Sequence, residues 1–102
     1  MQAQELAKKM KSGQAPCILD VRSGIEFRAG HVPGAVHAPS WKILLRMAAL
    51  PKEKDAQVVV TCEHGPRAML AKSLLDARGY KNVELLDGHM AGWRRGGLAL
   101  EK

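Results

Sequence analysis

The residues best placed to do chemistry stand together as Cys62-Glu63-His64-Gly65-Pro66-Arg67-Ala68. Ahead of them Val58, Val59 and Val60 form a β-branched run reaching Thr61, and behind them Pro66 opens a helical pattern. Cys62 is therefore predicted at the carboxyl end of a buried strand, just before a helix N-terminus. A thiol there faces unpaired backbone N–H groups and the positive end of the helix dipole, both of which favour the thiolate. Gly65 lets the loop N–H groups converge on one point, and Pro66 takes the first helical position, where a missing N–H costs least. The loop reads as a preformed anion cradle around an activated nucleophile. Arg67, one turn in, can contact an anionic substrate or hold the loop carbonyls, whereas the Glu63 carboxylate beside the thiolate works against its charge.

Most cysteines at strand ends are small apolar core residues, and it is the strand, tight loop and proline-led helix that set Cys62 apart. Cys17 lies inside an apolar strand and reads as core, with redox pairing to Cys62 as the alternative. Four histidines, His31, His37, His64 and His89, lack the spacing of a zinc site, and no metal is expected. His64, two residues after the nucleophile, is placed to adjust ionisation at the mouth.

The elements that must position this loop alternate strand and helix patterns, the signature of an α/β domain with a mostly parallel central sheet and helices on both faces. A helix is predicted over residues 2–12, a buried strand over Cys17–Val21, and a short helix from Ser23-Gly24 to Phe27, closed by Gly30. The Pro33-Gly34 turn leads into a brief strand at Ala35–His37. Ser40 is read as the N-cap of a helix over 41–49 stopped by Pro51, with Trp41 packed. Strands follow at Gln57–Thr61 and Asn82–Leu86. Between them a helix runs from Pro66 to about Arg78, with Leu70, Leu74 and Ala77 on one apolar stripe and Ala71 and Leu75 beside it. A last helix spans His89–Arg95, with Met90 and Trp93 in the core. In such folds active residues gather at the carboxyl ends of the strands.

The chain has 102 residues, a length suited to one domain over 1–102. Sixteen Lys and Arg against ten Asp and Glu give a charge of +6, but the basic residues are scattered with few aromatics among them. Nucleic-acid binding is not expected, and an anionic small substrate is. Two distant cysteines are no disulfide framework, and neither a leader pattern nor a membrane-spanning run is visible, so a reducing, cytoplasmic setting is expected.

The sequence resembles the single-domain rhodaneses, a sulfurtransferase family. The resemblance rests on Leu19-Asp20-Val21-Arg22, Glu26-Phe27, Gly30-His31-Val32-Pro33-Gly34-Ala35, the Cys62 to Arg67 segment and Gly92-Trp93. Cys62, Gly65 and Arg67 fill the fixed positions of the family's Cys-x-x-Gly-x-Arg loop. It implies a three-layer rhodanese-like domain with Cys62 and Arg67 as catalytic residues. Glu63, His64, Gly65, Pro66, Ala68 and Arg22 would line the substrate site. Cys62 would take sulfane sulfur from thiosulfate or another donor, hold it as a persulfide and pass it to cyanide or a thiol. The implied partners are a small anionic donor, a thiol or cyanide acceptor and, further, a sulfur-accepting protein; no cofactor and no membrane are involved.

Asp20, Arg22, Glu26 and His31 are expected to brace the loops, with Arg22 also able to line the mouth. The chain departs from the family in lacking a first edge strand and in carrying Asp87-Gly88-His89 where a Gly-Gly pair is common, which alters one wall of the pocket. Related phosphatases use a Cys-x5-Arg loop, and the shorter Cys-x4-Arg here is too tight for a phosphate monoester. The alternative reading is a rhodanese-like module that carries or senses sulfur, or binds a protein, with little turnover.

Overall fold

The computed structural model describes residues 1–102. Four strands, β1 (Cys17–Asp20), β2 (Val36–His37), β3 (Val58–Thr61) and β4 (Val83–Leu85), pair in the order β2-β1-β3-β4, and every pairing is parallel. The short β-branched runs need cover on both faces, because parallel strands are joined by helical crossovers. Five helices supply it: α1 (Ala3–Lys11), α2 (Gly24–Ala29), α3 (Ser40–Leu44), α4 (Pro66–Ala77) and α5 (His89–Arg95).

Strand alternation divides the core in two. Leu19, Val58 and Val60 pack with Ile43, Ala71 and Leu75 under α3 and α4. Ile18 and Val59 pack on the other face with Leu6, Met90 and Trp93 under α1 and α5. The three-layer α/β arrangement expected from the sequence is thus present. No helix is long and apolar enough to cross a membrane. From β1 the chain order runs outward to β2 on one side and to β3 and β4 on the other, so the switch in direction falls between the carboxyl ends of β1 and β3. Open parallel sheets leave a crevice at that point.

Two helices differ from the sequence reading. The helix expected over 41–49 ends at Leu44, and Pro39, not Ser40, is its N-cap, without a side-chain bond. It is closed by a Schellman motif well before Pro51: Met47 N–H donates to Lys42 O (2.7 Å), Arg46 N–H to Ile43 O (3.1 Å), and Arg46 sits at φ 60°. Only Ile43 of α3 is buried, and Trp41, expected to be packed, is 53% exposed. In α4 the buried face is Ala68, Ala71 and Leu75, while Leu70 and Ala77 face water. The small side chains of Ala68 and Ala71, with Leu75, form the contact with the core that sets the helix rotation and leaves Leu70 outside.

The edge strand missing from the sequence has a one-residue counterpart. The Met1 amine donates to Leu85 O and Asp87 N–H donates to Met1 O, both at 2.8 Å, a parallel pairing alongside the end of β4.

Candidate active site

Cys62 directly follows β3 and is 1% exposed, so its sulfur is recessed beneath the loop that leads to α4. The Gly65 N–H points at it, 2.9 Å from Sγ. Gly65 reaches this geometry at φ 135°, in the region that favours glycine, and a Cβ there would lie 3.3 Å from His89 Nε2. Pro66 opens α4 at N1, and the helix has no side-chain N-cap. Its first intrahelical bond runs from Met69 N–H to Gly65 O. The N–H groups of Glu63, His64, Arg67 and Ala68 donate to no acceptor within the chain. These free donors lie in the same loop as the sulfur that accepts the Gly65 N–H. Pro66 contributes its fixed backbone and no donor. His64 is exposed at the rim.

The charged residues predicted for the mouth are spoken for by one another. Arg67 donates to both oxygens of Glu26, at 2.7 and 3.1 Å, tying the start of α4 to α2. Those bonds push the guanidinium upward against burial, and the charges of Glu26, Cys62 and Glu63 add to them. Glu26 in turn closes a capping box with Ser23 at the start of α2. The Arg67 hydrogen bonds hold its carboxyl at about 2 despite some desolvation.

Arg22, expected to line the mouth and draw in anions, is 2% exposed and does not do so. Its guanidinium donates to both oxygens of the fully buried Asp20, to Gly30 O at 2.7 Å and to Glu63 Oε1 at 3.4 Å. Burial is the largest influence and opposes its charge, and the Asp20 hydrogen bonds together with the charges of Asp20, Glu63 and Glu26 outweigh it, so its pKa is raised. Arg22 is a brace across the switch point, with four of its five guanidinium N–H groups engaged and a single Nη1–H left over. His31 continues the brace: Nδ1 donates to Phe27 O at 2.8 Å and the ring stacks on Phe27 with centroids 3.7 Å apart.

Glu63 does not present a bare carboxylate to the sulfur. Its Oε2 is held by the Arg94 guanidinium from α5, and its Oε1 by Arg22. Burial pushes the carboxyl up, but the Arg94 bond and charge, then the charges of Arg22 and His64, hold it below the usual carboxylate range. The repulsion expected from Glu63 is thus neutralised by a residue that the sequence offered only as one of many scattered cations.

His89 is the other residue missed. The sequence singled out Asp87-Gly88-His89 as an altered wall, and β4 being next to β3 is the reason that wall touches the loop. The ring accepts the Cys62 N–H at Nδ1, 3.3 Å away. Burial lowers its pKa, with Asp87 opposing and His64 adding, which favours the neutral imidazole.

Cys17 is partly covered, and burial pushes its thiol up. It pairs in register with Val58, four residues before Cys62, so the two cysteines are about 13 Å apart along the sheet, beyond disulfide reach. No group of three or more His, Cys, Asp or Glu side chains is arranged to hold a metal ion. A groove of about 420 Å³ lies away from the loop, between α1 and the chain after α5, lined by Ala7, Met10, Trp93 and Leu98 among others.

Comparison with known proteins agrees with this geometry. The rhodanese-like domain family matches residues 2–95. A sulfurtransferase of Allochromatium vinosum is 31% identical over 98 residues, covering 96% of this chain and 90% of the relative. The thiosulfate sulfurtransferase GlpE of Pseudomonas fluorescens is 35% identical over 83 residues, covering 79% of this chain and 72% of that one. Among solved structures, the Alr3790 protein from Anabaena sp. superposes with a TM-score of 0.88 at 29% identity, over 99% of this chain and 81% of its own. With its fold, its cysteine loop and its relatives in agreement, the chain belongs to the rhodanese-like domain family, to which proteins named sulfurtransferases are related.

Proposed function

We propose that this chain is a sulfurtransferase working through a Cys62 persulfide. The observation that carries the reading is the Gly65 N–H on the Cys62 sulfur, with four further N–H groups of the same loop free of any acceptor in the chain. With thiosulfate, the Cys62 thiolate attacks the outer sulfur, the S–S bond of the donor breaks, and sulfite leaves with the bonding pair. Cys62 then carries S–S⁻. Cyanide or a thiolate attacks that outer sulfur, the cysteine leaves as thiolate, and thiocyanate or a new persulfide departs. Net charge is conserved at each step, so the cradle's task is to hold one anion after another, which fixed N–H dipoles do without reorganising. Arg67, anchored to Glu26, adds a fixed positive charge at the same place. The cycle leaves Cys62 a free thiol at every turn, which suits a reducing compartment such as the cytoplasm.

Incubation with thiosulfate and then cyanide, followed by intact mass, tests this beside Cys62→Ser. The expected result is a gain of one sulfur atom that requires Cys62 and is removed by cyanide. Sulfur that loads and is not discharged would favour a carrier or sensing module, and sulfur loading on Cys62→Ser would overturn the assignment.

A further inference from the structure

The wall of the site formed after β4 contains an unusual residue. His89 sits at φ 51°, a left-handed conformation that costs a side chain with a Cβ about 1 kcal/mol or more relative to glycine, directly after Gly88 at φ 76°. It is 8% exposed. A strained, buried, titratable side chain persists where its surroundings hold it, and here the surroundings are the nucleophile's own loop. Cys62 N–H donates to Nδ1 at 3.3 Å, and the Nε2 edge of the ring lies against Gly65, 3.3 Å from where a Cβ would stand.

Two consequences follow from elementary chemistry. A backbone N–H only donates, so Nδ1 must carry the lone pair and the neutral ring must carry its hydrogen on Nε2. That Nε2–H has no acceptor within the chain, and no buried side-chain nitrogen or oxygen lacks a partner, so Nε2 reaches solvent beside Gly65. One ring therefore touches both ends of the Cys62–Gly65 turn. On one side it fixes the backbone that carries the sulfur; on the other it presents a donor next to the N–H that binds the sulfur.

Resting on the sulfurtransferase reading for its substrate, we infer that His89 is a positioning and specificity-determining residue of this site. Its Nδ1 fixes the Cys62 backbone, its ring keeps Gly65 turned toward the sulfur, and its Nε2–H supplies a side-chain donor for the anionic end of the sulfur donor. The charged and titratable groups that act on the ring are Asp87 on its own segment and His64 on the loop, and the Cys62 backbone bonds it directly.

The test uses His89→Gly, which takes positive φ freely, and His89→Asn, which tolerates it better than most side chains, so that loss of the imidazole is separated from loss of the fold. Asn offers Oδ1 near the place of Nδ1 and nothing near Nε2. Melting temperature establishes that each variant is folded. Two kinetic readings follow on the folded proteins: alkylation of Cys62 by neutral iodoacetamide, which needs no sulfur chemistry, and the thiosulfate concentration for half-maximal sulfur loading. His89→Gly should alkylate about fivefold more slowly, the effect of one backbone hydrogen bond, and His89→Asn should recover most of the wild-type rate. Both variants should need about tenfold more thiosulfate, because a hydrogen bond to an anion is lost in each.

Wild-type alkylation in His89→Gly, or failure of His89→Asn to recover it, overturns the role of Nδ1. An unchanged thiosulfate requirement in both variants overturns the role of Nε2. If the wild-type protein loads no sulfur from thiosulfate or polysulfide, the functional reading fails while the alkylation series still decides whether His89 positions the nucleophile.

Discussion

The two walls of the site are built on opposite principles. On the β1 side, Arg22 spends its guanidinium on Asp20, Gly30 and Glu63, and Glu26 binds both Ser23 and Arg67. Most of the polar groups there are committed to one another. On the β3 and β4 side, the loop N–H groups of Glu63, His64, Arg67 and Ala68 and the ring edge of His89 are unspent. A saturated network is rigid because every change leaves a buried group without a partner, and an unsaturated one is receptive because an arriving anion completes it. The rhodanese-like motif residues divide along this line: Asp20, Arg22, Glu26 and His31 hold the frame, while Cys62 and Gly65 belong to the loop with free N–H groups.

The sharpest way to break this contrast is to remove a member of the saturated wall. Arg22→Ala leaves the Asp20 carboxylate fully buried without its cation, and the expected loss of stability is about 3–5 kcal/mol, measurable by urea denaturation. A loss below about 1 kcal/mol would show that the wall is hydrated and the comparison mistaken. On the receptive wall the counterpart is Gly65→Ala. Its Cβ would meet His89 Nε2 at 3.3 Å in a backbone region that alanine avoids, and about 1–3 kcal/mol of strain falls on the loop itself. Sulfur loading should drop more than tenfold while the melting curve moves far less than for Arg22→Ala.

Electrostatics at the seam between the walls gives a graded test. Glu63 is clasped by Arg94 and Arg22, so the charge near the sulfur changes in whole steps as partners are removed. Glu63→Gln frees a positive charge, Arg94→Ala frees a negative one, and the double variant restores the balance. Thiosulfate use at low salt should therefore rank Glu63→Gln above wild type, wild type close to the double variant, and Arg94→Ala last, with steps of about threefold that shrink as salt is raised. A double variant no better than Arg94→Ala would assign Arg94 a direct contact in place of a neutralising one.

Much of this frame was legible in the sequence because it is carried by local patterns. The apolar run Val58–Thr61 and the Gly65-Pro66 junction dictate a strand, a tight loop and a helix start, and these alone put Cys62 under free N–H groups. Helix boundaries were less legible where a tertiary feature decides them. Nothing local in Leu44-Leu45-Arg46-Met47 shows that Arg46 turns left-handed and ends α3, and the rotation of α4 follows its contact with the sheet. The residues missed at the site, His89 and Arg94, act across 27 and 31 positions of chain on Cys62 and Glu63. Such contacts depend on β4 lying beside β3, a fact of sheet order that no periodicity encodes. The second role expected for Arg22 fails for a related reason: its motif position places it near the mouth, and only the three-dimensional packing shows that its guanidinium is buried and mostly committed to Asp20, Gly30 and Glu63.

The smallest expected effect concerns the clasp between Glu26 and Arg67. The Glu26 carboxyl sits at about 2 in the folded chain against an ordinary 4.5, chiefly because Arg67 donates to it. A carboxyl depressed on folding stabilises the native state where it is ionised in both states, so the contribution is complete above pH 4.5 and fades as pH falls toward 2. Both partners are partly in water, with side chains 46% and 33% exposed, and solvent screening limits the contribution to about 1 kcal/mol. Urea denaturation of wild type and Glu26→Gln at pH 6 and at pH 3 measures it. The gap in stability between the two proteins should narrow at the lower pH by no more than that amount. A gap that stays constant would show that Glu26 acts through its capping of α2, as a neutral hydrogen-bond acceptor, and that the saturated wall derives its stiffness from Arg22 and Asp20 alone.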